Sequence, residues 1–240
     1  MKINVKGAIV PNDDKWLYEI FGMDHTAPKD IIDALPETGE DIEVLINSGG
    51  GDVFSGSEIY TALKDYSGNV NVKVVGVAAS AASIIAMAGD RIEMSPTAQM
   101  MIHNASTTVY GDNRNMGSAA KMLSSTDKGI ANAYIKKTGK SEDEILNLMN
   151  DETWMNAQEA VELGFADAKM FEDAAPKMVA SYGQMLSEDA KKRITALMSQ
   201  PSEVKIDMDQ IVNKVVEALN SKEKELKKPE VKKGFGKFFF

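Results

Sequence analysis

The sequence predicts an α/β domain with a largely parallel sheet. Three observations carry that reading. Apolar runs of strand length alternate with helical patterns through the first 172 residues. The β-branched run 70–77 reads as a buried strand, and it passes through Gly76, Ala78, Ala79, Ser80, Ala81, Ala82 and Ser83 into the apolar run 84–88, a strand, a tight turn of small residues and a buried helix. With 43% hydrophobic and 26% charged residues, the chain has the composition of an ordinary globular protein.

Taken in order, residues 3–10 form a short alternating strand and 16–21 a short apolar helix or turn. Pro28 suits the first turn of a helix over 29–35, closed by Pro36 and Gly39. Residues 42–46 form a strand that runs into Asn47-Ser48-Gly49-Gly50-Gly51-Asp52, and a helix follows through Ile59, Tyr60 and Leu63. Short strands are expected at 91–94, ended by Pro96, and at 100–103. A long helix covers 115–137 and ends at Gly139. Ser141 and Glu144 form a capping box that opens a helix over 145–149, and another helix starts near Asn156 and ends at Gly164. Residues 165–171 are expected to be the last strand of the domain.

Composition changes after 172, so the expected organisation is a domain over 1–172 and a helical extension over 173–240. Within the extension, a short amphipathic helix is expected at 187–198. Ile206, Ile211, Val212, Val215, Val216 and Leu219 then form an apolar stripe at helical spacing. Residues 222–240 carry 7 Lys and 3 Glu and end in Phe238-Phe239-Phe240, which reads as a partner-binding or assembly tag. The net charge of −9 argues against a nucleic-acid surface on the main body. The absence of cysteine removes thiol nucleophiles, disulfides and thiolate zinc sites. No run approaches the roughly 20 apolar residues of a membrane span, and the N-terminus carries no signal-peptide pattern. The expectation is a soluble, cytoplasmic protein without membrane or nucleic-acid partners.

Ser80 sits at the strand–helix junction among small residues, where another backbone can approach and the helix N-terminus favours negative charge. A tightly packed crossover is the competing reading of the same stretch. Of the two histidines, His25 lies in a polar loop and reads as a surface residue. His103 ends an apolar strand 23 positions after Ser80 and is either a core histidine or a base for a serine nucleophile. The triple glycine lacks the spacing of a dinucleotide or phosphate loop, and its backbone N–H groups can instead face a developing oxyanion. Asp151 and Glu152 are the acidic candidates for orienting a histidine. Ser83, one helical turn after Ser80, is expected to be dispensable.

These blocks together resemble the proteolytic subunit of the Clp protease. They are Ile46-Asn47-Ser48-Gly49-Gly50-Gly51, Gly76 with Ala78-Ala79-Ser80, Pro96 through Met101-Ile102-His103, and the run from Ala157, Glu159 and Ala160 to Gly164, Phe165 and Asp167. The resemblance covers about residues 1–172 and implies a crotonase-type α/β fold of repeated β-β-α units with a helical extension. It also implies a serine peptidase with Ser80 as nucleophile and His103 as base, with the N–H groups of Gly51 and Ala81 as the oxyanion hole. Counting back five positions from Ala157 puts Glu152 where the family has an aspartate, with Asp151 adjacent. No metal or cofactor is implied. The partners implied are polypeptide substrates and copies of the chain in rings, heptameric in the family, stacked with help from the 115–137 helix.

Three differences are similar to the Clp-like head maturation proteases of tailed bacteriophages. The chain starts almost at its first strand, Gly49 stands where the housekeeping enzyme has proline, and an extra C-terminal region follows. That branch implies capsid or portal partners, a host ATPase unfoldase as a further partner, and a place in the host cytoplasm or within proheads. The rivals are an acyl-CoA-handling enzyme of the same fold, a Ser/Lys dyad peptidase, and an inactive capsid-assembly scaffold that retains the fold.

Overall fold

The structure, a computed structural model, describes residues 1–172. The helices expected at 187–198 and 206–219, the aromatic-ended tail and the rest of the 173–240 extension lie outside the described residues. The chain runs β1 (Lys2–Ile9), a 3-10 turn (Asn12–Asp14), α1 (Lys15–Ile20), β2 (His25–Thr26), α2 (Pro28–Ile32), β3 (Ile42–Gly51), α3 (Val53–Asp65), β4 (Val70–Ala79) and α4 (Ala81–Ala86). It continues with β5 (Arg91–Met94), β6 (Gln99–Ile102), α5 (Asn113–Thr138), α6 (Glu142–Asn150), β7 (Thr153–Asn156), α7 (Ala157–Glu162) and β8 (Ala168–Lys169).

Parallel pairing gives the strand order β2-β1-β3-β4-β5-β8. β4 is shared between two neighbours. Its first half pairs with β5 from Asn71 to Val74, and its second half pairs with β6 from Val77 to Ala79. β6 in turn pairs antiparallel with β7. The core is aliphatic, with Val5, Val44, Ile46, Val72 and Val74 of the sheet packed with Ile59, Ile85, Met87 and Tyr134 from the helices. Among the described residues no helix is long and apolar enough to cross a membrane.

The local signals explain most boundaries. Asp52 caps α3 by accepting the Ser55 N–H at 2.7 Å, Ser141 and Glu144 cap α6 reciprocally, and Gly139 ends α5 at φ 72°. β3 runs past Ile46 through all three glycines because β1 keeps pairing with it, Ala8 opposite Gly50 and Ile9 opposite Gly51. The strand expected over 165–171 shrinks to Ala168–Lys169 because the Phe165 and Ala166 N–H groups are drawn to the Ala160 carbonyl at the end of α7. β2 and β7 were not expected. His25 lies in β2 rather than a loop, pairing with Ala8, its ring 5.7 Å from that of Tyr18 and tilted 42° to it.

One irregularity governs the ends of the two central strands. The β3–β4 register moves from Ile46 opposite Val74 to Ser48 opposite Ala78, so β4 uses more residues than β3 there. The Asn47 side chain fills the gap, its Oδ1 accepting the Val77 N–H at 3.2 Å. Gly76 is required beside it, since a Cβ there would lie 2.2 Å from Asn47 Oδ1. Gly76→Ala is therefore expected to destabilise the fold by about 1–3 kcal/mol through overpacking. Gly117→Ala, on α5 with no heavy atom within 4 Å of the new Cβ, should stabilise it by about 0.5–1 kcal/mol. Denaturant unfolding of the two variants checks both signs.

Candidate active site

The site begins with the backbone at Ser80. This residue links β4 to α4 at φ 54°, ψ −126°, a conformation that a non-glycine residue adopts only when its surroundings enforce it. On one side the Ser80 N–H donates to the Met101 carbonyl at 2.9 Å, tying the turn to β6. On the other side its carbonyl accepts from the Ser83 N–H at 2.9 Å, the Ile84 N–H at 3.3 Å and the Ser83 hydroxyl at 2.7 Å. The turn thus holds the Ser80 hydroxyl proud of strand and helix.

His103 follows β6 directly. Pairing of Ala79 with Met101 carries the chain to the same sheet edge as Ser80, and His103 Nε2 lies 2.7 Å from Ser80 Oγ. A hydroxyl donating to Nε2 leaves the imidazole proton on Nδ1. Two side chains fix the segment after the ring. Asp127 of α5 accepts the Ala105 N–H at 2.7 Å, and Asn104 Nδ2 donates to Asn150 Oδ1 at the end of α6 at 2.7 Å.

Gly50 lies against the Ser80 turn, and Gly51 follows it at the end of β3. A Cβ at Gly50 would stand 2.6 Å from the Ala79 carbonyl, 2.8 Å from Ser80 Cβ and 3.0 Å from the Ala81 nitrogen, at φ 94°. The end of β3 therefore runs against the Ser80–Ala81 peptide with no room for a side chain. Gly51, at φ 150°, has its own Cβ direction filled by Ile9 backbone. A cleft of about 290 Å³ opens beside Gly51, lined by Phe54, Ala105, Met122 and Leu123 among others.

The acidic candidates stand differently. The β6–β7 ladder pairs Met101 with Trp154 and ends at Ile102 with Thr153, so Asp151 and Glu152 immediately precede the strand that pairs with the residues leading to His103. Glu152 is exposed at φ 47°, and its carboxylate accepts from Trp154 Nε1 at 3.4 Å rather than from the imidazole. Among the described residues no carboxylate bonds His103, and no cluster of three or more acidic or histidine side chains could hold a metal ion.

Sequence reasoning missed two features. The glycine pressed on Ser80 is Gly50, and the triple-glycine run carried that signal. Ser83, expected to be dispensable, is fully buried, and its hydroxyl bonds both the Ser80 carbonyl and the buried Tyr134 hydroxyl, each at 2.7 Å. Burial pushes the Tyr134 phenol above its ordinary pKa, and the Ser83 bond offsets part of that shift, so the phenol keeps its proton. Nothing in the sequence linked positions 51 residues apart.

The glycine geometry sets an expected outcome. Gly50→Ala should slow labelling of Ser80 by a fluorophosphonate by roughly tenfold or more, because the added methyl is driven into the serine and the Ala81 nitrogen. Gly49→Ala, which meets no heavy atom within 4 Å, should label at the parent rate. Equal rates for the two variants would contradict the close approach.

Known proteins resemble this chain in sequence and in fold. A family model described as Clp protease matches residues 31–173. The ATP-dependent Clp protease proteolytic subunit 1 of Chlamydia muridarum is 33% identical over 141 residues, covering 57% of this chain and 73% of that protein. The ATP-dependent Clp protease proteolytic subunit of Bacteroides fragilis is 32% identical over 133 residues, covering 55% of this chain and 64% of its own length. A solved ClpP1 mutant from Listeria monocytogenes superposes with a TM-score of 0.58 at 22% identity, covering 70% of this chain and 90% of that one, a likeness of fold. The α/β fold with a mostly parallel sheet expected from the sequence is the fold these proteins share with the chain.

Proposed function

This chain belongs to the Clp protease family, and on that premise we propose that it is a serine endopeptidase working through Ser80, His103 and Glu152. The observation that carries the reading is the 2.7 Å contact between Ser80 Oγ and His103 Nε2, made by residues 23 apart in sequence. His103 Nε2 takes the hydroxyl proton as Oγ attacks a peptide carbonyl. The N–H groups of Gly51 and Ala81 receive the oxyanion, a role supported by the approach of the β3 end to the Ser80–Ala81 peptide. His103 then protonates the leaving amine, and water releases the acyl-enzyme. Glu152, just before the strand that pairs with β6, orients the Nδ1–H tautomer by exchanging its Trp154 partner for the ring. The cleft beside Gly51, with Phe54, Met122 and Leu123 in its lining, suits an apolar side chain flanking the scissile bond.

The finer reading is that the chain is a head maturation protease of a tailed bacteriophage. It would act on capsid or scaffold chains as a ring of copies, in the host cytoplasm or inside proheads. Supporting it are Gly49 in the place of the housekeeping proline and the sequence of the 173–240 extension, basic at its end and closed by three phenylalanines. Incubation with unprocessed proheads tests this: cleavage of a prohead protein by the parent chain and none by Ser80→Ala is expected, and no cleavage by either would remove the phage reading.

Two further outcomes test the chemistry. Ser80→Ala should lose peptide hydrolysis and fluorophosphonate labelling while keeping the parent's thermal unfolding, since the change removes a hydroxyl and little volume. A parent protein that does not label would favour the inactive scaffold. Glu152→Gln should lower kcat more than Asp151→Asn, by roughly tenfold and well short of the ~10⁴ seen where the orienting acid is buried, because Glu152 is exposed. Equal small losses in a kinetic comparison would leave Ser80 and His103 working as a dyad.

A further inference from the structure

We propose that Ser83 and Tyr134 form a buried proton-donor relay that strengthens the Ala81 N–H as an oxyanion donor, making both positioning residues for the reaction. The inference rests on the assignment of Ser80 and Ala81 given above and adds two side chains that do not touch substrate.

The direction of the relay follows from donor counting. Ser83 Oγ has one proton and two partners, the Ser80 carbonyl and the Tyr134 hydroxyl, each at 2.7 Å. A carbonyl oxygen only accepts, so the Ser83 proton goes to Ser80 and the Tyr134 proton goes to Ser83. The phenol is buried and remains protonated. The order is therefore Tyr134 O–H to Ser83 O–H to Ser80 C=O.

The Ser80 carbonyl and the Ala81 N–H belong to one peptide unit. Donation to the oxygen favours the resonance form with positive charge on nitrogen, which makes the N–H a stronger donor. This oxygen takes three donors, the Ser83 and Ile84 N–H groups and the Ser83 hydroxyl. The first two are those any helix start provides. The hydroxyl is additional, and Tyr134 behind it polarises it further in a site closed to water. Ser83 and Tyr134 are 0% and 1% exposed, so their bonds are not diluted by solvent. The gain is largest when negative charge forms on the substrate oxygen, so it acts on the transition state more than on substrate binding.

Steady-state kinetics of Tyr134→Phe, Ser83→Ala and the double variant test the relay in the full-length chain, with active sites counted by fluorophosphonate titration. Tyr134→Phe keeps the ring and its 5.7 Å packing on Phe165 and removes only the hydroxyl. Each single variant should lower kcat per labelled site by about three- to tenfold, the worth of a hydrogen bond in a buried site, with KM within about twofold. Affinity for a peptide boronic acid, whose adduct with serine is tetrahedral and anionic, should fall by the same factor. The double variant should be no worse than Ser83→Ala alone, because the tyrosine acts only through the serine. A chain that labels normally but keeps its kcat in Tyr134→Phe overturns the relay and leaves the peptidase reading standing. So does an additive double variant, or a fall in activity explained by fewer labelled sites. A parent chain that never labels overturns the peptidase reading and the relay with it.

Discussion

The arrangement depends on one close approach, that of the β3 backbone at Gly50 to the Ser80–Ala81 peptide at the end of β4. Several unrelated features of the sequence serve it. Gly50 has no side chain because Ser80 Cβ occupies the space. Ala78, Ala79, Ala81 and Ala82 are fully or almost fully buried and small, so β3, β6 and α3 can close around the turn; Gly56 of α3 sits where a Cβ would touch Ala81 Cβ at 3.0 Å. Asn47 and Gly76 take up the unequal lengths of the two strands just before the approach. A serine held at positive φ is costly, on the order of 1–3 kcal/mol, and it persists here because bonds to Met101, Ser83 and Ile84 fix the peptide on both sides.

The second constraint is the pair of β6 and β7. The antiparallel pairing of 99–102 with 153–156 brings the chain that follows α6 alongside the strand that leads to His103. The Asn104–Asn150 bond and the Asp127 contact to Ala105 fasten this region from two helices. His103 therefore sits on a segment held by β6, α5 and α6 together, and Ser80 on one held by β3, β4 and β6. The two meet at 2.7 Å through strands rather than flexible loops.

Two buried hydroxyls of this interior are placed with partners, whereas the buried Asn104 Oδ1 has none among the described residues. Ser83 and Tyr134 are buried, where an unbonded hydroxyl would cost about 1–3 kcal/mol. They satisfy each other and end on a backbone oxygen of the candidate site. A core built only for stability would be expected to use apolar residues at both positions. The Asp52 carboxylate is similarly occupied, capping α3 through the N–H and hydroxyl of Ser55 immediately after the glycine run.

By itself the sequence determined all the main strands and helices but β2 and β7, the helix ends at Ser141 and Gly139, and Ser80 and His103 as candidates. These are local matters of apolar period, cap chemistry and small-residue runs, and they are written within a few residues. It also marked the glycine run as backbone whose N–H groups can face an oxyanion, and the small residues around Ser80 as room for another backbone. The tertiary structure alone decided that Gly50 is the glycine pressed on Ser80. It decided too that β3 extends to Gly51, that Phe165 and Ala166 belong to the end of α7 rather than to a strand, and that Ser83 meets Tyr134. Each depends on which groups lie alongside: Gly50 meets Ser80 across 30 residues and Ser83 meets Tyr134 across 51, and even the nearby Ala160 carbonyl that takes the Phe165 N–H is marked by no local pattern. Glu152 falls between the two. Its spacing from Ala157, read against the family pattern, singled it out, and the structure sets it just before β7, exposed and bonded to Trp154 rather than to His103. The reason is physical: spacing along the chain places a residue, while a side chain's partner depends on everything packed around it.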